Sequence, residues 1–486
     1  MILAPFTVSA QSVRGQFVHR EANPYPVERR FMWHPQKTKV LGENLHALVI
    51  LAEYQDLSFT LDNPKDAFKT HLNAENYKGA GGYGSARDYF IDQSDGQFSP
   101  YFDVYGPYKA SRNMSYYGGS DGDRHDANAA ELIAEVAELA DKDVDYKDYD
   151  SDGDGMVDFC YVIYAGYGEA HGADENTIWP HAWNLMSGTG SALKLDGVKI
   201  NSYACSCELT GNSGKTIDGI GTICHEFSHT LGLPDFYDTE DGGHFGMSTW
   251  SLMDNGCYNE NGFTPCGYTA YEKEYMGWID IETLDKEQSV TLTPTAKGGK
   301  AYRIENSENT NEYYIVENIQ QEGWNRGAYG HGMVVMHVDY DSPAWNSNTV
   351  NNYTPERMTI VPADNIRASS VKSLAGDPYP GNTGNTELTD TSTPAAETNS
   401  GSCFSQPITD ITEADGVVKF NFMKGCGEAT SAIAATNVTS CSFNAKWNKR
   451  IGTDDYTLEV FHITGDIPED QTKWNNSLLN TSGELI

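Results

Sequence analysis

Residues 221–238 read GTICHEFSHTLGLPDFYD, and this run restricts the chain more than any other part of it. On an α-helix, positions i and i+4 share a face, so His225 and His229 present two imidazoles to one point. Glu226 is adjacent to the first histidine and rotated around the same helix. Gly232 stands where a left-handed C-cap ends a helix and reverses the chain. Asp235 then comes back toward the histidines. A fold holding this run must bury a helix, a reversal and a returning carboxylate around one position.

Imidazole nitrogen and carboxylate oxygen both bind zinc at about 2.0–2.2 Å, and a catalytic zinc keeps one position open for water. His225, His229 and Asp235 are therefore the expected zinc ligands, with Glu226 as the general base acting on the bound water. H-E-x-x-H alone arises by chance in about one such sequence in fifty, but the run with its Gly and Asp does so in about one in ten thousand. Its spacing is that of the metzincin pattern H-E-x-x-H-x-x-G-x-x-H, with an aspartate at the third-histidine position. Asp238 is near enough in sequence to compete for that role.

Met253, in STWSLMDNG, has the spacing of the Met-turn that underlies such a site, and Met247 is a weaker match. Asn255 occupies the position where a tyrosine often follows that methionine, which leaves Tyr258 and Tyr268 as the nearby alternatives. A second arrangement keeps His225, Glu226 and His229 and takes the third ligand from Glu272 or Glu274 in AYEKEYMGW.

A second metal signal lies upstream. In DYDSDGDGMVD, Asp150, Asp152, Asp154 and Asp158 flank Gly155 with the spacing of an EF-hand-type calcium loop. Tyr161 occupies the twelfth position and a strand follows at once, so the expectation is a structural calcium site without flanking helices. Glu169, Asp174 and Glu175 form a further acidic group, and His171 and His181 read as hydrogen-bonded structural histidines.

Hydrophobic periodicity sets the frame around these motifs. HALVILAEYQD and FCYVIYAGYGEA read as buried strands, and DANAAELIAEVAELADK as a helix with Leu132, Val136 and Leu139 on its buried stripe. Strands alternating with helices over 43–284 predict an α/β catalytic domain. From 285 to 425 short strands separated by turns predict a β-sandwich, with the Gly-, Thr- and Pro-rich segment 376–402 as a long surface loop. Residues 426–486, with alternating strands around Trp447, read as a partial fibronectin type III-like module.

The ends and the charge constrain location and partners. Residues 1–10 are apolar and close on Val8-Ser9-Ala10, a small-residue pattern suited to signal-peptide cleavage; 11–42 read as a pro-segment. The formal charge of −36 disfavours nucleic acid and anionic lipid as partners, and no apolar run reaches transmembrane length. Protein or peptide substrates, a monomer and an exported, cell-surface or secreted location are the expectation. Of nine cysteines, Cys257 and Cys266 are spaced for a disulfide across a loop, while Cys224 reads as a buried thiol.

Taken together, HEFSHTLGLPDFYD, WSLMDNG, ARDYFIDQSDGQFSPYFDVYGP, DSDGDGMVDFCYVIYAGYGEA with IWPHAW, and EYYIVENIQ with GHGMVVMHVD resemble the immune inhibitor A family of secreted bacterial metallopeptidases. The resemblance runs from about residue 43 to 425. It implies a metzincin-like fold, an exported precursor, catalytic zinc, structural calcium and endoproteolysis of proteins. It assigns zinc to His225, His229 and Asp235 and catalysis to Glu226. The competing function is a surface adhesin or binding protein with an inactive peptidase domain; an intact Glu226, which no structural need preserves, argues against it.

Overall fold

The computed structural model describes residues 45–120, 126–240 and 242–424, together with a strand pair at Ala432–Thr436 and Asn444–Trp447. The proposed signal remnant at 1–10 and pro-segment at 11–42 lie outside the described residues, as does most of 426–486. Residues up to Gly427 form one compact unit and Glu428 onward a second. In the second, the two strands pair antiparallel, with Ala432 opposite Trp447.

A five-stranded sheet organises the first half. Its strands are β1 (His46–Glu53), β2 (Tyr101–Lys109), β3 (Cys160–Tyr167), β4 (His181–Asn184) and β5 (Ser202–Leu209), in the order β2-β1-β3-β5-β4. β1, β2, β3 and β5 run parallel, while β4 is an antiparallel edge strand on β5. Parallel strands need cover on both faces, which is why β1 and β3 read as unbroken apolar runs.

One face of the sheet, with Val49, Leu51, Phe102 and Tyr161, packs on α1 (Pro64–Asn73), α2 (Ala86–Gln93) and α4 (Gly221–Thr230). The other face, with Ile50, Val162 and Cys205, packs on α3 (Ala129–Ala140). The buried arc of α3 is Ala129, Ala130, Leu132, Ile133, Val136, Ala137 and Ala140. Leu139, expected on that stripe, is exposed. At 100° per residue it falls about 20° beyond Leu132, just past the edge of the apolar arc.

Beyond the sheet, α5 (Ala270–Tyr275) leads into a β-rich half. β6 (Glu282–Thr283), β8 (Tyr302–Glu305), β9 (Glu312–Ile319), β10 (Gly332–Asp339) and β11 (Met358–Ile360) make one sheet in the order β11-β10-β9-β8-β6. β7 (Gln288–Leu292), β12 (Ile408–Ala414) and β13 (Val417–Phe422) make a second, in the order β12-β13-β7. Between them lies a core containing Val290, Leu292, Val316, Val335, Val418 and Phe420. The opposite faces of β9 and β10 contribute Ile315, Val334, Met336 and Val338 to the cluster that holds α4. The β-rich half therefore shares its core with the half that carries the histidines.

Two local expectations are corrected. The segment 376–402 is no free surface loop: Tyr379, Leu388 and Ala396 are buried in the β core, and bridges join Tyr379 to Met333 and Leu388 to Ile408. Cys257 and Cys266 are free thiols. The Cys257 sulfur turns toward His225, while the Cys266 sulfur sits beneath Gly256, where an added Cβ would lie 2.3 Å from it.

Candidate active site

Phe227 fixes the orientation of α4. Its ring lies edge-on to Phe90 and Phe159, with centroids 5.0 and 4.7 Å away, and is fully buried. Anchoring that face turns His225, Glu226 and His229 the other way. The helix stops at Thr230, and Gly232 adopts φ 106°, a conformation costly for any residue with a Cβ. The Leu233 N–H then donates back to the Ser228 carbonyl at 3.1 Å, closing the Schellman-type cap.

This reversal brings Asp235 beneath the histidines, fully buried. Its Oδ1 is 3.1 Å from Nε2 of His225 and 3.1 Å from Nε2 of His229. The other ring nitrogens are committed: Nδ1 of His225 donates to the Leu252 carbonyl and Nδ1 of His229 to the Leu233 carbonyl, each at 2.8 Å. Because those carbonyls only accept, each Nδ1 carries the proton and each Nε2 turns a lone pair inward.

Two imidazole lone pairs and a carboxylate oxygen facing one another need a cation between them. Burial alone would lower the His225 pKa, but Asp235, Cys257 and Glu226 together outweigh it, so the surroundings favour positive charge at this point. Zinc fits this set. Tetrahedral bonds of about 2.0–2.1 Å put ligand atoms about 3.3 Å apart, close to the observed 3.1 Å.

Glu226 adjoins the cluster, its Oε2 4.0 Å from Nε2 of His229. That oxygen is buried and has no hydrogen-bond partner among the described residues. Glu226 and His229 line a cleft of about 560 Å³ whose walls include Ala182, Trp183 and Asn184 of β4, with Tyr203 and Pro343. The exposed edge of the sheet thus borders the carboxylate.

The turn under the site runs through Met253, which is fully buried and whose carbonyl accepts the Phe236 N–H at 2.8 Å. Asp254, which sequence reasoning passed over, gathers the N–H groups of Met247, Ser248 and Asn255 at 2.7–2.9 Å. Burial pushes its pKa up to about 8. Met247 is also buried.

The alternatives for the third ligand are occupied elsewhere. Asp238 accepts from Glu240 N and Gly243 N, and the His244 ring Nδ1 lies 3.2 Å from its carboxylate. Glu272 caps α5, binding Thr269 N at 2.6 Å and Ser251 Oγ at 2.6 Å, while Glu274 pairs with Arg303. Of the two tyrosines, Tyr268 is buried with its hydroxyl on Ser228, whereas Tyr258 is partly exposed with its ring toward His171.

Upstream, Asp150, Asp152 and Asp154 bring one carboxylate oxygen each into a common group. Gly153 and Gly155, at φ 74° and 84°, make the turn that curls them together. Asp158 stands apart from this group, its carboxylate taking the Ser151 N–H at 2.8 Å and the Ser151 hydroxyl. Asp174 forms a turn with Asn176, and His181 is bonded to the Trp179 carbonyl and the Tyr203 hydroxyl.

With this geometry in place, residues 46–279 match the family model for the immune inhibitor A peptidase M6 catalytic domain. This stretch is thus similar to the catalytic domain of the immune inhibitor A peptidases. The pre-pro-metalloprotease PrtV of Vibrio cholerae serotype O1, in strains M66-2 and El Tor Inaba N16961, is 31% identical over 301 residues, covering 54% of this chain and 31% of PrtV. Immune inhibitor A of Bacillus thuringiensis subsp. alesti is 29% identical over 167 residues, covering 30% of this chain and 23% of that protein. The chain thus spans about a third of the length of PrtV. A match to this catalytic domain implies a metallopeptidase, whose metal is typically zinc. No helix among the described residues is long and apolar enough to cross a membrane.

Proposed function

We propose that this chain is an exported zinc endopeptidase that hydrolyses peptide bonds of proteins. The observation that carries the reading is the convergence of His225 Nε2, His229 Nε2 and Asp235 Oδ1 beside the unpaired Glu226 Oε2. His225, His229 and Asp235 hold the metal. When bound, zinc supplies Lewis acidity and lowers the pKa of its water to about 7.

Glu226 takes the proton of the attacking water and later delivers it to the leaving amine. A carboxylate suits this work here because its buried Oε2 has no competing donor. An extended substrate lies along β4, whose outer edge offers backbone hydrogen bonds to a strand. The Leu252 and Leu233 carbonyls keep both histidines in the ligand tautomer throughout. Export is supported by the cleavage pattern ending at Ala10 and by the family.

The test is metal dependence of casein hydrolysis by the protein freed of residues 1–42. A chelator abolishes cleavage and stoichiometric zinc restores it; cleavage indifferent to the chelator contradicts the reading.

Asp150, Asp152 and Asp154 bind a structural calcium ion, supported by their shared turn and by a buried Asp150 Oδ1 without a partner. Asp158 braces that turn through Ser151. Calcium then raises the melting temperature of the wild type and not of Asp152→Ala; an equal rise in both rules the site out.

A further inference from the structure

His171, Cys207 and Asp218 come from three separate segments. His171 ends the turn after β3, Cys207 is on β5, and Asp218 lies in the loop that leads into α4. Their donor atoms meet: His171 Nδ1 is 3.6 Å from Asp218 Oδ1 and 3.8 Å from Cys207 Sγ, and Cys207 Sγ is 3.7 Å from Asp218 Oδ2. The thiol and the carboxylate are buried, and the imidazole reaches the surface through a small window beside Tyr258.

These separations decide between two explanations. The imidazole–carboxylate distance is too long for a hydrogen bond, which lies at 2.7–3.2 Å for N–H···O. Ligands held at about 2.3 Å for sulfur and about 2.0–2.2 Å for nitrogen and oxygen stand roughly 3.3–3.6 Å apart around a tetrahedral ion. The cluster, at 3.6–3.8 Å and with both Asp218 oxygens turned toward it, lies just above the second spacing, within a small contraction of it. Backbone N–H of Gly219 and the side chain of Thr210 support Asp218 from outside the cluster, as second-layer partners of metal ligands do.

We propose that His171, Cys207 and Asp218 form a second metal site, distinct from the histidine pair of α4, that takes a thiolate-binding divalent transition ion such as zinc. A thiolate donor discriminates against calcium and magnesium, which favour oxygen. The ion ties β3 and β5 to the loop that enters α4, so it fixes where the helix of His225 begins. The site stands on its own donor set and does not depend on the peptidase reading.

Cobalt(II) titration of the metal-stripped, reduced full chain tests this. Thiolate ligation gives an intense near-ultraviolet sulfur-to-cobalt absorption, which a site of two imidazoles and a carboxylate cannot give. The wild type is expected to show that band and to bind two equivalents. Cys207→Ser and Asp218→Asn each lose the second equivalent, and Cys207→Ser also loses the band. Cys257→Ser keeps it, which excludes the thiol near His225, and His225→Ala keeps it while losing the other equivalent. Zinc content after purification follows the same pattern, and circular dichroism of Asp218→Asn confirms that loss of metal is not loss of fold. A wild type that binds one equivalent with no such band, or a band unchanged in Cys207→Ser, overturns the proposal. A peptidase that proves inactive yet shows the band leaves the second site standing.

Discussion

Asn348 grips Asp235 at two points: its side-chain amide donates to Asp235 Oδ2 at 2.6 Å, and its carbonyl oxygen accepts the Asp235 N–H at 2.6 Å. Asn348 is buried at φ 58°, in the segment that follows the short helix Ser342–Asn346. The neighbouring Thr239–Asn352 bond at 3.0 Å repeats the tie four residues on. One carboxylate oxygen is thus held while the other faces the histidines.

Removing that hold loosens the metal. Asn348→Ala is expected to weaken zinc binding by about 10–100-fold, the usual cost of losing an outer partner of a metal ligand. Chelator competition measures it, in a Cys207→Ser background so that the histidine site alone reports. Unchanged affinity would show that Asp235 needs no support.

Gly232 tests the reversal. A Cβ there meets nothing closer than Tyr275 at 3.8 Å, so Gly232→Ala pays only for its positive φ, about 1–2 kcal/mol. Thermal unfolding should shift down modestly, with a larger loss of zinc affinity as Asp235 moves. A variant as stable as wild type would mean that the cap relaxes freely.

Asp377 gives a pH dependence. Burial pushes its pKa up to about 8, opposed by the Trp250 Nε1–H that donates to it at 2.7 Å. Folding therefore takes up a proton wherever the unfolded carboxylate is ionised, and stability from this group falls as pH rises from about 4 to about 8. Asp377→Asn removes that titration and keeps an acceptor for Trp250. Urea unfolding should find the variant gaining on wild type between pH 5 and pH 8, by up to about 4 kcal/mol. A constant difference across that range would place Asp377's titration elsewhere.

What the sequence made legible was local. The i, i+4 histidines, the glycine reversal and the returning Asp235 lie within eleven residues, where helical geometry and cap chemistry operate without help from the rest of the chain. β1 and β3 show themselves by apolar runs for the same reason, whereas β2, β4 and β5 carry no such run. Long-range pairings did not. Asn348 reaches Asp235 across 113 positions, and His171, Cys207 and Asp218 meet only because β3 and β5 are neighbours in the sheet. His171 was read as a structural histidine because nothing in its own segment signals the thiol. Cys257 and Cys266 differ in the opposite way: spacing permits a disulfide, but one sulfur faces His225 and the other sits beneath Gly256. Leu139 missed the core by a small helical angle.

The central claim is that Glu226 moves the proton for a metal held by His225, His229 and Asp235. The most direct measurement is casein hydrolysis by wild type and Glu226→Ala, each with its zinc content determined in the same preparation. The account predicts undiminished zinc in the variant and a loss of activity of about 10²–10⁴-fold or more. Equal cleavage by the two proteins at equal zinc would contradict it.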